Sequence, residues 1–185
     1  VDFPHLMLRA KAVKFRDGDV KFRDKLLTGT DRLGKLATIP VVVQMVNKAI
    51  TTPFARKAMQ VALGVAENAQ LPPYDSAHFR ETAGHSIAWP VRDGQRSPGK
   101  VAIFSTCYVN YNEPGIGHDL TKILDHNSIP YVLVEKEACC GMPKLELGDL
   151  ETVEQYKNFN IPALKALVDD GYDIVAPIPS CVLMF

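Results

Sequence analysis

Residues 100–106 read KVAIFST and run directly into Cys107. An unbroken apolar run of this length suits a strand covered on both faces, as in a parallel sheet. The pattern recurs twice downstream. Residues 131–134 (YVLV) form a second run, followed by a short Glu/Lys stretch and then Cys139 and Cys140; residues 173–176 (DIVA) form a third, with Cys181 after it. Helical spacing fills the gaps. Residues 114–127 place Ile116, Leu120, Ile123 and Leu124 on one face, and residues 149–159 and 162–170 are expected as two helices, broken by Pro162 and stopped by Gly171. Asp149 is expected to cap the first of these. Strand and helix alternating in this order predict an α/β unit, a Rossmann-like βαβαβ parallel sheet with right-handed crossovers. The carboxyl ends of such strands lie along one edge, where open α/β sheets build their sites. Three separate loops thus carry all four cysteines to one edge.

Thiolates are soft ligands that favour iron–sulfur clusters, zinc or copper. The adjacent pair Cys139-Cys140 suits a body with several metal atoms better than one tetrahedral ion, because neighbouring side chains diverge. Structural zinc sites use C-x2-4-C pairs, and this chain has no CxxC. Gly141 permits a tight turn after the pair, as Gly115 and Gly117 do near Cys107. Four thiols in a chain with no visible secretory signal point to ligation or redox chemistry more than to structural disulfides. Cluster, zinc, a redox disulfide and plain packing of buried cysteines all remain open on these grounds.

Upstream of a Pro/Gly/Ser-bearing stretch at residues 90–99, expected to be a linker, the chain is helical in pattern. A basic helix is expected after Pro4, carried past Gly18 by Phe15, Phe22, Leu26 and Leu27. A second is expected over residues 33–50, a third over residues 53–63 with Pro53 in its first turn and Gly64 at its stop, and Leu71 to Tyr74 extended. Two parts follow: residues 1–90, a helical linker or docking region, and residues 100–185, the cysteine-bearing α/β domain. The net charge is zero, which argues against a nucleic-acid partner. It conceals an asymmetry. Residues 1–60 hold twelve Lys/Arg against five Asp/Glu, and residues 101–185 hold five against twelve. The basic part is suited to the acidic part or to an anionic membrane surface. No stretch has the length of a spanning helix. The start at Val1 and the stop at Phe185 lead us to expect part of a longer polypeptide.

The stretch F-S-T-Cys107-Y-V-N-Y-N, then A-Cys139-Cys140-G-M-P, then P-S-Cys181 resembles the cysteine-rich CCG domain. That domain occurs in the B subunit of heterodisulfide reductase, in the iron–sulfur subunits of glycolate and lactate oxidases, and in the C subunit of anaerobic glycerol-3-phosphate dehydrogenase. VDFPHLMLRAKAV and TGTDRLGKLAT…VNKAITTP look most like the last of these, between a ferredoxin domain and the first CCG repeat. The resemblance implies a [4Fe-4S] cluster held by Cys107, Cys139, Cys140 and Cys181. The fuller motif ends in CxxC. Met184 stands at its last position here, so a four-thiolate cubane is expected rather than a five-cysteine cluster, in a first CCG repeat incomplete at its end. It further implies an electron-transfer subunit, itself without a substrate site, that accepts electrons from a flavin dehydrogenase partner, acting on glycerol-3-phosphate and carrying the FAD. Electrons would pass to membrane quinone from a peripheral position on the inner face of the cytoplasmic membrane. A thiol/disulfide redox subunit like heterodisulfide reductase, and a structural zinc or interaction module, are the alternatives. Of the remaining polar residues, His118 is expected to face solvent, Lys136 and Lys144 to be exposed, and Tyr108 and Tyr111 to shield the centre or pack in the core.

Overall fold

The structure is a computed structural model that describes residues 2–84 and 99–185. The linker expected at residues 90–99 therefore lies, but for Gly99, outside the described residues.

The amino-terminal part is five helices and a short sixth: α1 (Phe3–Arg16), α2 (Phe22–Leu27), α3 (Thr30–Ala37), α4 (Pro40–Thr51), α5 (Pro53–Leu63) and α6 (Phe79–Thr82). Helix α1 opens with Pro4 in its first turn and the Asp2 side chain accepting from His5 N–H, and it ends before Gly18. The single helix expected over residues 33–50 is two. Pro40 has no N–H to give and forces Ile39 out of the helical region (φ −55°, ψ 130°), so α3 stops and α4 starts with Pro40 in its first turn. Helix α5 matches its expected bounds, with Gly64 left-handed at its end. Buried Arg56 on α5 donates from Nε to Glu67 O (3.0 Å) and from Nη2 to Ala66 O and Ala69 O (2.6 Å each), folding the loop that follows back onto the helix.

The second part runs β1 (Val101–Ile103), α7 (Cys107–Tyr111), α8 (Pro114–His126), β2 (Tyr131–Leu133), α9 (Met142–Leu147), α10 (Leu150–Asp169), β3 (Asp173–Val175) and α11 (Pro179–Val182). The three strands form one parallel sheet in the order β2-β1-β3, with Val101 opposite Tyr131 and Asp173. This is the expected α/β fold. Strand β1 is central and every one of its residues is buried. Two details depart from expectation. Helix α10 passes through Pro162 without a break. Helix α8 buries Pro114, Gly117, Thr121 and Leu124, whereas Ile116 and Ile123 are exposed. Phe79 of α6 decides that face. Its ring lies so close to Gly117 that a Cβ there would stand 2.5 Å from it.

Apolar side chains on either side of the sheet make two cores. One holds Phe79, Val101, Ile103, Val109, Leu124 and Tyr131; the other holds Ala102, Phe104, Val134 and Leu164 together with Cys139, Cys140 and Cys181. The amino-terminal helices dock on the acidic part by close backbone approach. Gly34 of α3 faces the Tyr111 ring, and Gly148, at φ +90°, faces the Lys11 backbone of α1. No helix among the described residues is long and apolar enough to cross a membrane.

Candidate metal centre

Each cysteine follows the carboxyl end of a strand. Cys107 opens α7 just after β1, Cys139 and Cys140 lie between β2 and α9, and Cys181 sits in α11 after β3. The three loops meet. Cys107 Sγ and Cys139 Sγ are 3.9 Å apart, and Cys140 Sγ donates to Cys181 Sγ at 3.1 Å. All four are free thiols, and all but Cys107 are buried.

Local structure explains why the sulfurs point inward. Thr106 adopts φ +68°, a strained value for a β-branched residue, and its hydroxyl accepts from Val109 N–H (3.3 Å); together these turn the chain sharply from β1 into α7. Gly141 at φ +97° makes the corresponding turn after the cysteine pair, and its N–H donates to Cys139 Sγ (3.5 Å). Buried Asn160, in the middle of α10, accepts from Ala138 N–H (2.8 Å) and donates to Ala138 O (3.3 Å) and Cys139 O (3.2 Å). Arg80 of α6 donates to Ser105 Oγ (3.3 Å), Val134 O and Glu135 O (2.8 Å each), and it pairs with Glu137 (3.4 Å). Glu137 in turn accepts from Ser105 N–H (2.9 Å), tying the β1 loop to the β2 loop. Burial pushes its carboxyl up to about 7, against the pull of Arg80 and Ser105.

The thiols share protons unevenly. Hydrogen bonds from Cys107, Cys140 and Gly141 N–H draw Cys139 down toward the thiolate, and the bond from Cys140 does the same for Cys181. Cys107 and Cys140, as donors in buried surroundings, are pushed up. The arrangement is two donor–acceptor pairs joined at the Cys139-Cys140 peptide. A single zinc ion would hold its sulfurs at about 2.3 Å from one point. Among the described residues no three His, Cys, Asp or Glu side chains converge in that way. The donor set is all thiol, with an N–H aimed at sulfur, and these residues would suit an iron–sulfur group, which would supply one-electron chemistry.

A family model for the cysteine-rich domain CCG matches residues 101–185. Those residues, 46% of the chain, are therefore similar to CCG cysteine-rich domains. Over 177 residues the chain is 28% identical to the C subunit of anaerobic glycerol-3-phosphate dehydrogenase from Escherichia coli K12, which takes in 95% of this chain and 43% of that protein. It is 28% identical over 85 residues to the B subunit of the fumarate reductase (CoM/CoB) of Methanothermobacter marburgensis, covering 46% of this chain and 16% of the relative. An uncharacterized iron–sulfur protein of Methanocaldococcus jannaschii is 28% identical over 68 residues, 37% of this chain and 14% of that one. No solved structure matches significantly. The chain thus spans less than half the length of these relatives.

Around the four cysteines several expectations change. His118, expected to face solvent, is half-buried: its Nε2 lies 3.0 Å from Thr82 Oγ1 on the exposed side, and its ring packs edge-on against Phe79. Lys136 is exposed as expected, but Lys144 is largely buried and paired with Asp149 (3.5 Å). Asp149 also caps α10, accepting from Thr152 N–H at 3.2 Å. Tyr111 is buried against Gly34, while Tyr108 is about a third exposed. Met184 packs on the cysteine core. Sequence reading missed Asn160, Arg80 and Glu137. Only Asn160 left a signal, as a poor helix former inside a strongly helical stretch.

Proposed function

We propose that this chain is the cluster-bearing part of an iron–sulfur electron-transfer subunit in an oxidoreductase complex, with Cys107, Cys139, Cys140 and Cys181 as ligands of one [4Fe-4S] cluster. The observation that carries the reading is the meeting of four thiols from three strand-end loops in one core. A group of this kind takes up and passes on single electrons. The chain's own contribution is to hold it. Asn160 and Gly141 fix the Cys139-Cys140 turn, Thr106 sets Cys107, and the core around Phe104, Val134 and Leu164 buries Cys139, Cys140 and Cys181. Met184, a neutral thioether, fills space beside the thiolates rather than ligating.

The likeness to a component of glycerol-3-phosphate dehydrogenase supports a flavin dehydrogenase as partner, with the FAD and the glycerol-3-phosphate site on that partner. Membrane quinone is the acceptor in this reading, reached from the inner face of the cytoplasmic membrane. The basic amino-terminal half, with exposed Val41 and Met45 on α4, supports a peripheral seat on an anionic surface. A thiol–disulfide reading has one observation in its favour, the 3.1 Å approach of Cys140 and Cys181. It requires disulfide-reductase turnover by the purified chain.

Anaerobic reconstitution followed by metal and sulfide analysis tests the main reading. Equal iron and labile sulfide, about four of each per chain, with a visible absorption band, are expected. Stoichiometric zinc without iron would overturn it.

A further inference from the structure

Thr30 lies 77 residues before Cys107 and outside the CCG match, yet its hydroxyl reaches the centre. Thr30 Oγ1 is 3.5 Å from Cys107 Sγ and 3.7 Å from Cys139 Sγ. Among the described residues this hydroxyl bonds to no oxygen or nitrogen. Its seat is built, not incidental. Helix α3 is pressed onto α7 at Gly34, where a Cβ would stand 2.4 Å from the Tyr111 ring. Tyr111 OH donates to Asp31 (3.5 Å), and Thr38 Oγ1 meets His78 Nε2 at 2.8 Å at the far end of the helix. The one hydroxyl at the amino end of α3 is thereby held against two of the four sulfurs.

We propose that Thr30 is a positioning residue of the centre, donating its hydroxyl hydrogen to the Cys107 and Cys139 sulfurs and raising the potential of the group they hold. The inference rests on the iron–sulfur reading above. A metal-bound thiolate has no proton, so the hydroxyl is the donor and the sulfur the acceptor. Negative charge on the sulfurs grows on reduction, and a donor stabilises the reduced state more than the oxidised one. The amino-terminal helices are then part of the centre, not only a tether to it.

The test compares wild type, Thr30→Val and Thr30→Ser after anaerobic reconstitution of the full chain, by redox titration followed by electron paramagnetic resonance. Thr30→Val keeps the shape and removes the hydroxyl; a lower midpoint potential is expected, with Thr30→Ser near wild type. In D2O, the wild type and Thr30→Ser should lose one more exchangeable proton coupling than Thr30→Val, which keeps only that of backbone donors such as the Gly141 N–H. Failure of Thr30→Val alone to retain iron, with Thr30→Ser loading normally, supports the same hydroxyl role. Equal potentials in wild type and Thr30→Val, or Thr30→Ser behaving as Thr30→Val, overturn the inference and leave the iron–sulfur reading standing. Loss of the cluster from both variants is Thr30→Ser behaving as Thr30→Val, and it overturns the inference as well. A wild-type chain that takes up no iron overturns both.

Discussion

Cys139 and Cys140 differ sharply at the level of single residues although they are chain neighbours. Cys139 faces Cys107 and the Gly141 N–H, and Cys140 faces Cys181. Each thus serves a different loop, and losing either should unhook one side of the centre. Cys139→Ser or Cys140→Ser is expected to reduce retained iron strongly after gel filtration. Met184→Leu is nearly volume-conserving, and should leave iron content and spectrum intact at a stability change below about 1.5 kcal/mol. Loss of the spectrum in Met184→Leu would place that sulfur among the ligands. Asn160 offers a second test. Asn160→Leu strips partners from a buried N–H and two carbonyls of the cysteine loop. A buried group left unpaired costs about 1–3 kcal/mol, so thermal denaturation should show a destabilisation of at least that size, with faster iron release to a chelator.

Helix contacts at the next scale depend on the absence of side chains. Gly148 terminates α9 at φ +90° and lets the Lys11 backbone of α1 approach to 2.5 Å from where a Cβ would sit. Gly148→Ala meets both obstacles, a left-handed backbone costing about 1–2 kcal/mol and a clash that only movement of α1 relieves. Limited proteolysis of that variant should cut within α1 sooner than in wild type. Arg56 works by the opposite means, a charged group buried to hold the carbonyls of Ala66, Glu67 and Ala69. Arg56→Met keeps much of the volume and loses charge-assisted hydrogen bonds worth about 1.5–3 kcal/mol apiece. Urea unfolding is expected to show a loss of about 2 kcal/mol or more; a change within about 0.5 kcal/mol would mean the loop holds without it.

The whole molecule sets a basic helical part against an acidic α/β domain, with Lys11 and Glu146 paired at 2.8 Å where they meet. That pair is exposed and contributes little alone; the glycine contacts and the α3–α7 seam do more. Three of the four cysteines are core residues as well as the proposed ligands. Metal binding and folding should therefore be coupled, since whatever binds the folded chain and not the unfolded one stabilises it. Reconstituted protein is expected to melt at a higher temperature than the same protein stripped anaerobically with a chelator. Identical melting curves for the two would mean that the thiols fold without help from metal.

The pattern of residues 100–185 carries the order of the three strands and the two long helices between them, but not the short helices α7, α9 and α11. Short apolar runs bounded by turn residues, and proline and glycine at helix ends, act locally and need no partner to be read. It also determined that Cys107, Cys139, Cys140 and Cys181 follow strand ends, because a parallel sheet aligns those ends whatever lies between them. Only the tertiary structure decided the rest. Pro162 continues a helix that local rules would break, since docking of α10 on the sheet outweighs a lost hydrogen bond. The face of α8 is set by Phe79, against whose ring His118 packs edge-on. Asn160, Arg80 and Glu137 gain their roles from carbonyls and N–H groups more than twenty residues away, as Thr30 does from two distant sulfurs. Periodicity records which side of an element is buried, but not what it is buried against, and hydrogen bonds between distant loops leave no spacing in the chain to read.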